Sequence, residues 1–125
     1  MKRYSKGSRA ERELTKMFIE HGFRVIRAAG SGNHDTPDIL VFRKGKQYCF
    51  ECKAWDRENL QIPRTQIDNL KKWEDITGIT TMIAWRIPRL GWRFIPIHLL
   101  TENEKSYSIN KRTALELFSF EDLIE

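Results

Sequence analysis

A chain of 125 residues, 40% of them hydrophobic and 11% aromatic, is sized for one domain with its own packed core. Its 22 Lys and Arg against 17 Asp and Glu leave a net charge of +5, which favours a polyanionic partner such as nucleic acid. No apolar run approaches the ~20 residues that a membrane-spanning helix needs, and Met1-Lys2-Arg3-Tyr4 leads into charge rather than a signal-peptide core, so the expectation is a soluble, cytoplasmic protein.

In chain order, Ser8-Arg9-Ala10-Glu11 has the S-x-x-E form of a capping box. Ala10, Leu14, Met17 and Phe18 then recur at helical spacing as far as His21-Gly22, predicting a first helix of about four turns. Phe23 to Ala28 alternates apolar with basic side chains and reads as a strand. It leads into Gly30-Ser31-Gly32-Asn33-His34-Asp35-Thr36, whose glycines and polar residues read as a mobile loop. Asp38-Ile39-Leu40-Val41-Phe42 is a buried-strand run, Arg43 to Lys46 supplies a turn, and Gln47 to Ala54 returns as the partner strand of a hairpin.

Beyond it, Thr65 after Pro63 is the expected cap of a helix that carries Ile67, Leu70, Trp73 and Ile76 on one side and stops at Gly78. Thr80 to Ile87 and Trp92 to Ile97 read as further strands. Ala114 to Phe118 reads as an edge strand, and Ser119-Phe120-Glu121-Asp122 as the cap of a short last helix. The stretch after Leu99, including Thr101-Glu102-Asn103-Glu104, carries no clear pattern. The element order predicts one α/β domain over residues 1–125, with a central mixed five-stranded sheet flanked by helices.

Cys49 and Cys52 have the C-x-x-C spacing of zinc and redox sites, yet no second ligand pair stands at zinc spacing. On a strand, residues i and i+3 point to opposite faces, so two reduced thiols that diverge are expected.

The hairpin carries the chemistry. Pro37-Asp38 opens one strand and Glu51-Cys52-Lys53 lies on the next, where side-chain alternation puts Glu51 and Lys53 on one face. Pairing through the Arg43 to Lys46 turn sets Asp38 near Glu51, gathering two carboxylates and an ammonium in one small volume. Carboxylates so close repel unless a proton or cation intervenes, and a hard divalent ion such as Mg²⁺ suits oxygen ligands. Beside a phosphodiester such an ion activates water and offsets developing charge, a task in which Lys53 is fitted to orient the water or stabilise the phosphate.

These residues, Pro37-Asp38 and then Glu51-Cys52-Lys53, resemble the motif of the PD-(D/E)XK nuclease superfamily. The wider series is more specific. Lys6-Gly7-Ser8-Arg9-Ala10-Glu11-Arg12-Glu13-Leu14, then Val25 to Gly32, the hairpin, and Gly91-Trp92-Arg93-Phe94 together resemble the archaeal Holliday-junction resolvases over roughly Lys6 to Ile97.

The resemblance implies a restriction-endonuclease-like sheet and a homodimer that places paired nicks across a four-way DNA junction with Mg²⁺, Mn²⁺ being a substitute. It implies that Glu11 joins Asp38 and Glu51 at the metal with Lys53 beside them as the catalytic set. It further implies that Arg12 and Arg27 lie near the scissile phosphate, that Ser31 belongs to a flexible Gly-Ser-Gly loop, and that Gln66 supports the site. Lys2, Arg3, Lys6, Arg9, Arg12 and Arg27 are then the expected phosphate contacts. The sequence departs from the family at Trp55-Asp56-Arg57-Glu58-Asn59, which is less basic than a DNA-facing segment there.

Plainer readings stand beside these. Glu11 is either the partner of Ser8 in the capping box, worth ~1 kcal/mol, or a group at the metal, and a helix begun at Ser5 frees it for the second role. Asp38 alone ends a loop as well as it binds an ion, and Glu51 with Lys53 alone makes an exposed ion pair worth under about 1 kcal/mol. His34 and Asp35 are accounted for by loop polarity. Trp73, Trp85 and Trp92 sit in apolar patterns that predict core packing, whereas Trp55 is the expected surface aromatic. Two other functions fit the same residues: a superfamily nuclease acting on flaps, nicks or unbranched duplex, and a DNA-binding module without turnover, which divalent-ion-dependent nicking separates from both nucleases.

Overall fold

A computed structural model describes residues 2–28 and 36–125, with side chains in the first helix described from Ser8 onward. Helix α1 (Lys2–Glu20) begins well before the expected cap. Lysine and arginine are good helix formers, and the basic N-terminal stretch extends the helix backwards past Gly7. Ser8 therefore lies inside the helix rather than at its start, and its hydroxyl accepts from Arg12 Nη1 at 2.7 Å. The capping-box reading of Glu11 is thus corrected, and its carboxylate is directed elsewhere. Ala10, Leu14 and Phe18 are buried as their spacing requires.

The helix lies on a five-stranded sheet of order β1-β2-β3-β5-β6, built from β1 (Arg24–Arg27), β2 (Ile39–Arg43), β3 (Lys46–Lys53), β5 (Thr80–Ile87) and β6 (Gly91–Pro96). All neighbours are antiparallel except β3 and β5. A parallel pair needs a crossover, supplied here by β4 (Asn59–Pro63) and α2 (Arg64–Thr77). This is the mixed, helix-flanked sheet that the pattern predicts.

Alternation along the strands divides the core in two. Ile39, Val41, Phe50, Ala84 and Phe94 meet α1 on one face, where the Phe18 ring stacks on Phe50 at 5.4 Å and meets Phe120 edge-on at 5.0 Å. Ile83, Trp85 and Ile95 meet Ile67 and Leu70 of α2 on the other. The two cysteines part accordingly. Cys49 Sγ accepts from Trp73 Nε1 of α2 at 3.1 Å, whereas Cys52 packs against the α1-side core, and both thiols are free.

Helix α2 starts at Arg64 behind Pro63, with no side-chain cap, so Thr65 sits inside the helix and does not cap it. The start is held from outside instead, by the Arg64 amide donating to Lys105 O at 3.1 Å. Gly78 closes the helix at φ 74° with its N–H on Glu74 O, a left-handed position that glycine adopts without strain. The predicted apolar stripe leaves the core at its C-terminal end, where Ile76 is 83% exposed.

A second sheet, β4-β8-β7, adds β7 (Thr101–Glu102) and β8 (Ser106–Asn110) after a single 3-10 turn. Leu60, Ile62, Tyr107 and Ile109 carry it onto the α2-side core. It also grips the first turn of α2: Arg64 pairs with Glu102 and donates to Asn103 O at 2.8 Å, and Tyr107 Oη lies 3.2 Å from Asp68 Oδ1. The edge strand expected over Ala114 to Phe118 is replaced by α3 (Lys111–Ala114) and a turn, and only Phe118 pairs, with Phe94. The last helix, α4 (Phe120–Ile124), does open on the expected capping box, between Ser119 and Asp122.

Candidate active site

The site forms where β2 begins and β3 ends. Ala28 N donates to Asp38 O at 2.9 Å, which ties Asp38 to the end of β1 just ahead of β2. The β2–β3 register pairs Ile39 with Phe50, so the next position outward sets Asp38 across from Glu51. Asp38 Oδ2 accepts from the Cys52 amide at 2.9 Å. That bond uses a backbone donor any residue provides, which is why the identity of residue 52 predicts nothing about it.

Glu51 and Lys53, two apart on β3, both face α2, and Gln66 in its first turn joins them. Gln66 Nε2 donates to Glu51 Oε2 at 2.7 Å and Gln66 Oε1 accepts from Lys53 Nζ at 3.2 Å. An amide offers a donor and an acceptor at once, so one side chain orients the acid and the amine together. Glu11 approaches from α1, and its Oε1 lies 3.3 Å from Arg27 Nη2.

Among the described residues Glu51 is the only Asp, Glu, Lys or Arg in the buried class, at 8% exposed. Burial, with the adjacent Asp38 charge second, pushes its carboxyl up to about 8, and the Lys53 ammonium offsets part of the effect. Burial likewise raises Asp38 above the usual carboxylate range, against the pull of the Cys52 amide and Lys53. Glu11 is raised by burial and then by Asp38, while Arg27 lowers it. Each carboxyl is thus held toward its neutral form by the same dry surroundings, and Glu51 by the neighbouring acid as well. A proton retained by the pair relieves the same repulsion that a bound cation would relieve.

The donor set fits a hard cation, since Mg²⁺ is commonly held by one or two carboxylates, retained waters and substrate phosphate oxygens. Among the described residues no three His, Cys, Asp or Glu side chains stand close enough to hold a metal ion. The fit thus rests on Asp38 and Glu51, with Glu11 next to Asp38 but engaged by Arg27.

The structure brings Asp38, Glu51, Lys53 and Gln66 together and sets Glu11 and Arg27 at their edge. Arg9 and Arg12 are exposed on α1. The side chains of Lys2, Arg3 and Lys6, and the whole of Ser31, His34 and Asp35, lie outside the described residues. Trp85 and Trp92 are buried and Trp73 half-buried, as their patterns predict. Trp55 is half-buried rather than a surface group, with Lys53 Nζ 5.3 Å and Arg57 Cζ 5.0 Å from its ring centre. Sequence reasoning missed that contact, although Lys-x-Trp at the end of a strand carries the signal for a shared face. It also missed Glu13, whose carboxylate accepts from Arg86 Nε at 2.9 Å and Trp92 Nε1 at 2.8 Å and is held below the usual range by those bonds despite partial burial.

A family model described as archaeal Holliday junction resolvase (Hjc) matches residues 2–125. A crossover junction endodeoxyribonuclease Hjc of Methanocaldococcus jannaschii is 34% identical over 98% of this chain and 89% of its own length. The protein of that name from Archaeoglobus fulgidus is 31% identical over 86% of this chain and 80% of its own. The solved structure of the Archaeoglobus fulgidus Holliday junction resolvase superposes with a TM-score of 0.86 at 26% identity, covering 95% of each chain. No helix among the described residues is long and apolar enough to cross a membrane.

Proposed function

The chain belongs to the archaeal Holliday junction resolvase family, and we propose that residues 1–125 act as one nuclease domain in which Asp38, Glu51 and Lys53 perform the cleavage. It is a metal-dependent endonuclease of DNA recombination and repair that binds and resolves four-way junctions. The observation that carries the assignment of residues is the buried Glu51 carboxyl, raised by burial and by the Asp38 charge and bridged through Gln66 to Lys53.

In this reading Asp38 and Glu51 would hold Mg²⁺, for which Mn²⁺ would substitute, and Glu11 would join them from α1 on parting from Arg27. The ion supplies water activation and charge neutralisation at the phosphodiester. Asp38, fixed by the Cys52 amide, and Glu51, fixed by Gln66, form a preset pair of oxygens. Lys53 presents an ammonium that Gln66 has already aimed, suited to the charge that grows on the phosphate. Arg27, beside Glu11, contacts the scissile phosphate together with Arg12. Arg9, Lys6 and Ser31 reach the flanking backbone, which reads shape with little regard to bases.

A homodimer with both sites on one side suits paired nicks in a symmetric junction. The surface for it is the sheet face that α2 leaves uncovered. Register aligns Ile26, Leu40 and Cys49, Trp73 borders Cys49, and Ile26 and Ile76 are 59% and 83% exposed. Such an apolar strip from β1 to α2 suits burial against its own copy about a two-fold axis.

Cleavage of a four-way junction compared with its component duplexes at matched salt tests the reading. Mg²⁺-dependent nicking confined to the junction is expected, and equal rates on duplex contradict it.

A further inference from the structure

We propose that Trp55 is a positioning residue for Lys53, its indole face holding the ammonium against Gln66 so that the amine is oriented before substrate arrives. The inference rests on the role of Lys53 given above. A lysine head group on a four-carbon stem has three donor directions and wide rotamer freedom. Gln66 Oε1, at 3.2 Å, takes one of those directions, which leaves the stem free to swing about that contact.

The Trp55 ring removes the swing. Lys53 Nζ lies 5.3 Å from the ring centre, inside the ~6 Å over which a cation is drawn to an aromatic face. The backbone that carries the ring is fixed, and the ring is packed. Trp55 O accepts at 2.9 Å from Nε1 of Trp85, a fully buried residue that pairs with Lys53 across the parallel β3–β5 register. The Trp55 side chain packs against the α2-side core. Arg57 lies over the same ring at 5.0 Å. Lys53 therefore lies between an amide oxygen on α2 and an indole whose backbone is tied to β5, with Gln66 its one hydrogen-bond partner among the described residues.

The test uses the full chain carrying Trp55→Leu, which keeps an apolar side chain and removes the face, and Trp55→Phe, which keeps a face. Single-turnover cleavage of a four-way junction should fall between about 3- and 30-fold in Trp55→Leu, with junction affinity within about twofold, and Trp55→Phe should recover most of the loss. In metal-free protein the Lys53 ε-methylene protons should be shifted upfield by the ring in wild type and in Trp55→Phe. They should return to the ordinary lysine position in Trp55→Leu. Should Trp55→Leu fail to fold, the wild-type and Trp55→Phe spectra and rates decide. Ordinary lysine shifts in wild type overturn the proposal, and so does weakened junction affinity at an unchanged rate, which would mean that the ring meets DNA itself. Lys53→Met separates the two layers. Full cleavage by that variant overturns the reading of Lys53 and with it the positioning role, whereas an inactive Lys53→Met beside a fully active Trp55→Leu overturns the role of Trp55 alone.

Discussion

Replacing Glu51 by Gln should make the metal-free protein more stable at alkaline pH while removing its activity. The folded carboxyl titrates at about 8 against an ordinary 4.5, so the folded state keeps a proton that the unfolded chain loses above about pH 4.5. Stability therefore falls as pH rises from about 4.5 to about 8 and levels off beyond. At about 1.4 kcal/mol per unit the full interval corresponds to about 5 kcal/mol, an upper bound. Sharing of the charge with Asp38 and screening at the site edge bring the expected effect to about 2–4 kcal/mol. Glutamine imitates the protonated acid: its oxygen accepts from Gln66 and its amide donates to Asp38, so nothing is left unpaired. Urea unfolding followed by tryptophan fluorescence, at matched protein concentration without divalent ions, should give similar stabilities for wild type and Glu51→Gln at pH 5. At pH 9 the variant should be ahead by the stated margin. Curves that run parallel across this range would refute the assignment of a retained proton to Glu51.

Asp38→Asn and Glu51→Gln should each abolish cleavage while gel-shift affinity for a four-way junction stays within about tenfold, because basic contacts supply the affinity and the carboxylates serve the metal. Gln66→Ala should lower the single-turnover rate about 10- to 100-fold, since it frees both Glu51 and Lys53 from their shared support. Ile76→Asp should shift sedimentation velocity from dimer to monomer with the fold intact by circular dichroism, because that 83% exposed side chain makes no core contact to lose.

The site was legible wherever chemistry depends on local spacing. Glu51 and Lys53 share a face because strands alternate, and a short turn between two apolar runs brings Asp38 to them. Gln66 has no such signature. It lies 15 positions from Glu51, and only the resemblance to the resolvase family pointed to it, because nothing in its neighbours tells which way a first-turn amide will face. The start of α1 was misplaced for a related reason: Ser8 and Glu11 satisfy a local rule, while the basic residues ahead of them extend the helix past it. The small sheet was missed because its pairing is remote, with Asn59 opposite Asn110, and because β7 has only two residues. Alternation in Leu60 and Ile62 was present, but a run that short is equally consistent with a loop. Ile76 continues a helical stripe, and periodicity cannot tell that the molecule ends before the stripe does.

Proton release on metal binding is the most direct test of the carboxyl pair. Calorimetric titration of Mn²⁺ into the protein at pH 7, repeated in two buffers of different ionisation enthalpy, counts the protons displaced. With Glu51 at about 8, close to one proton per chain should leave on binding, and Asp38→Asn and Glu51→Gln should lose both binding and release. Binding of undiminished strength in those variants, or binding to the wild type with no proton displaced, would contradict the account.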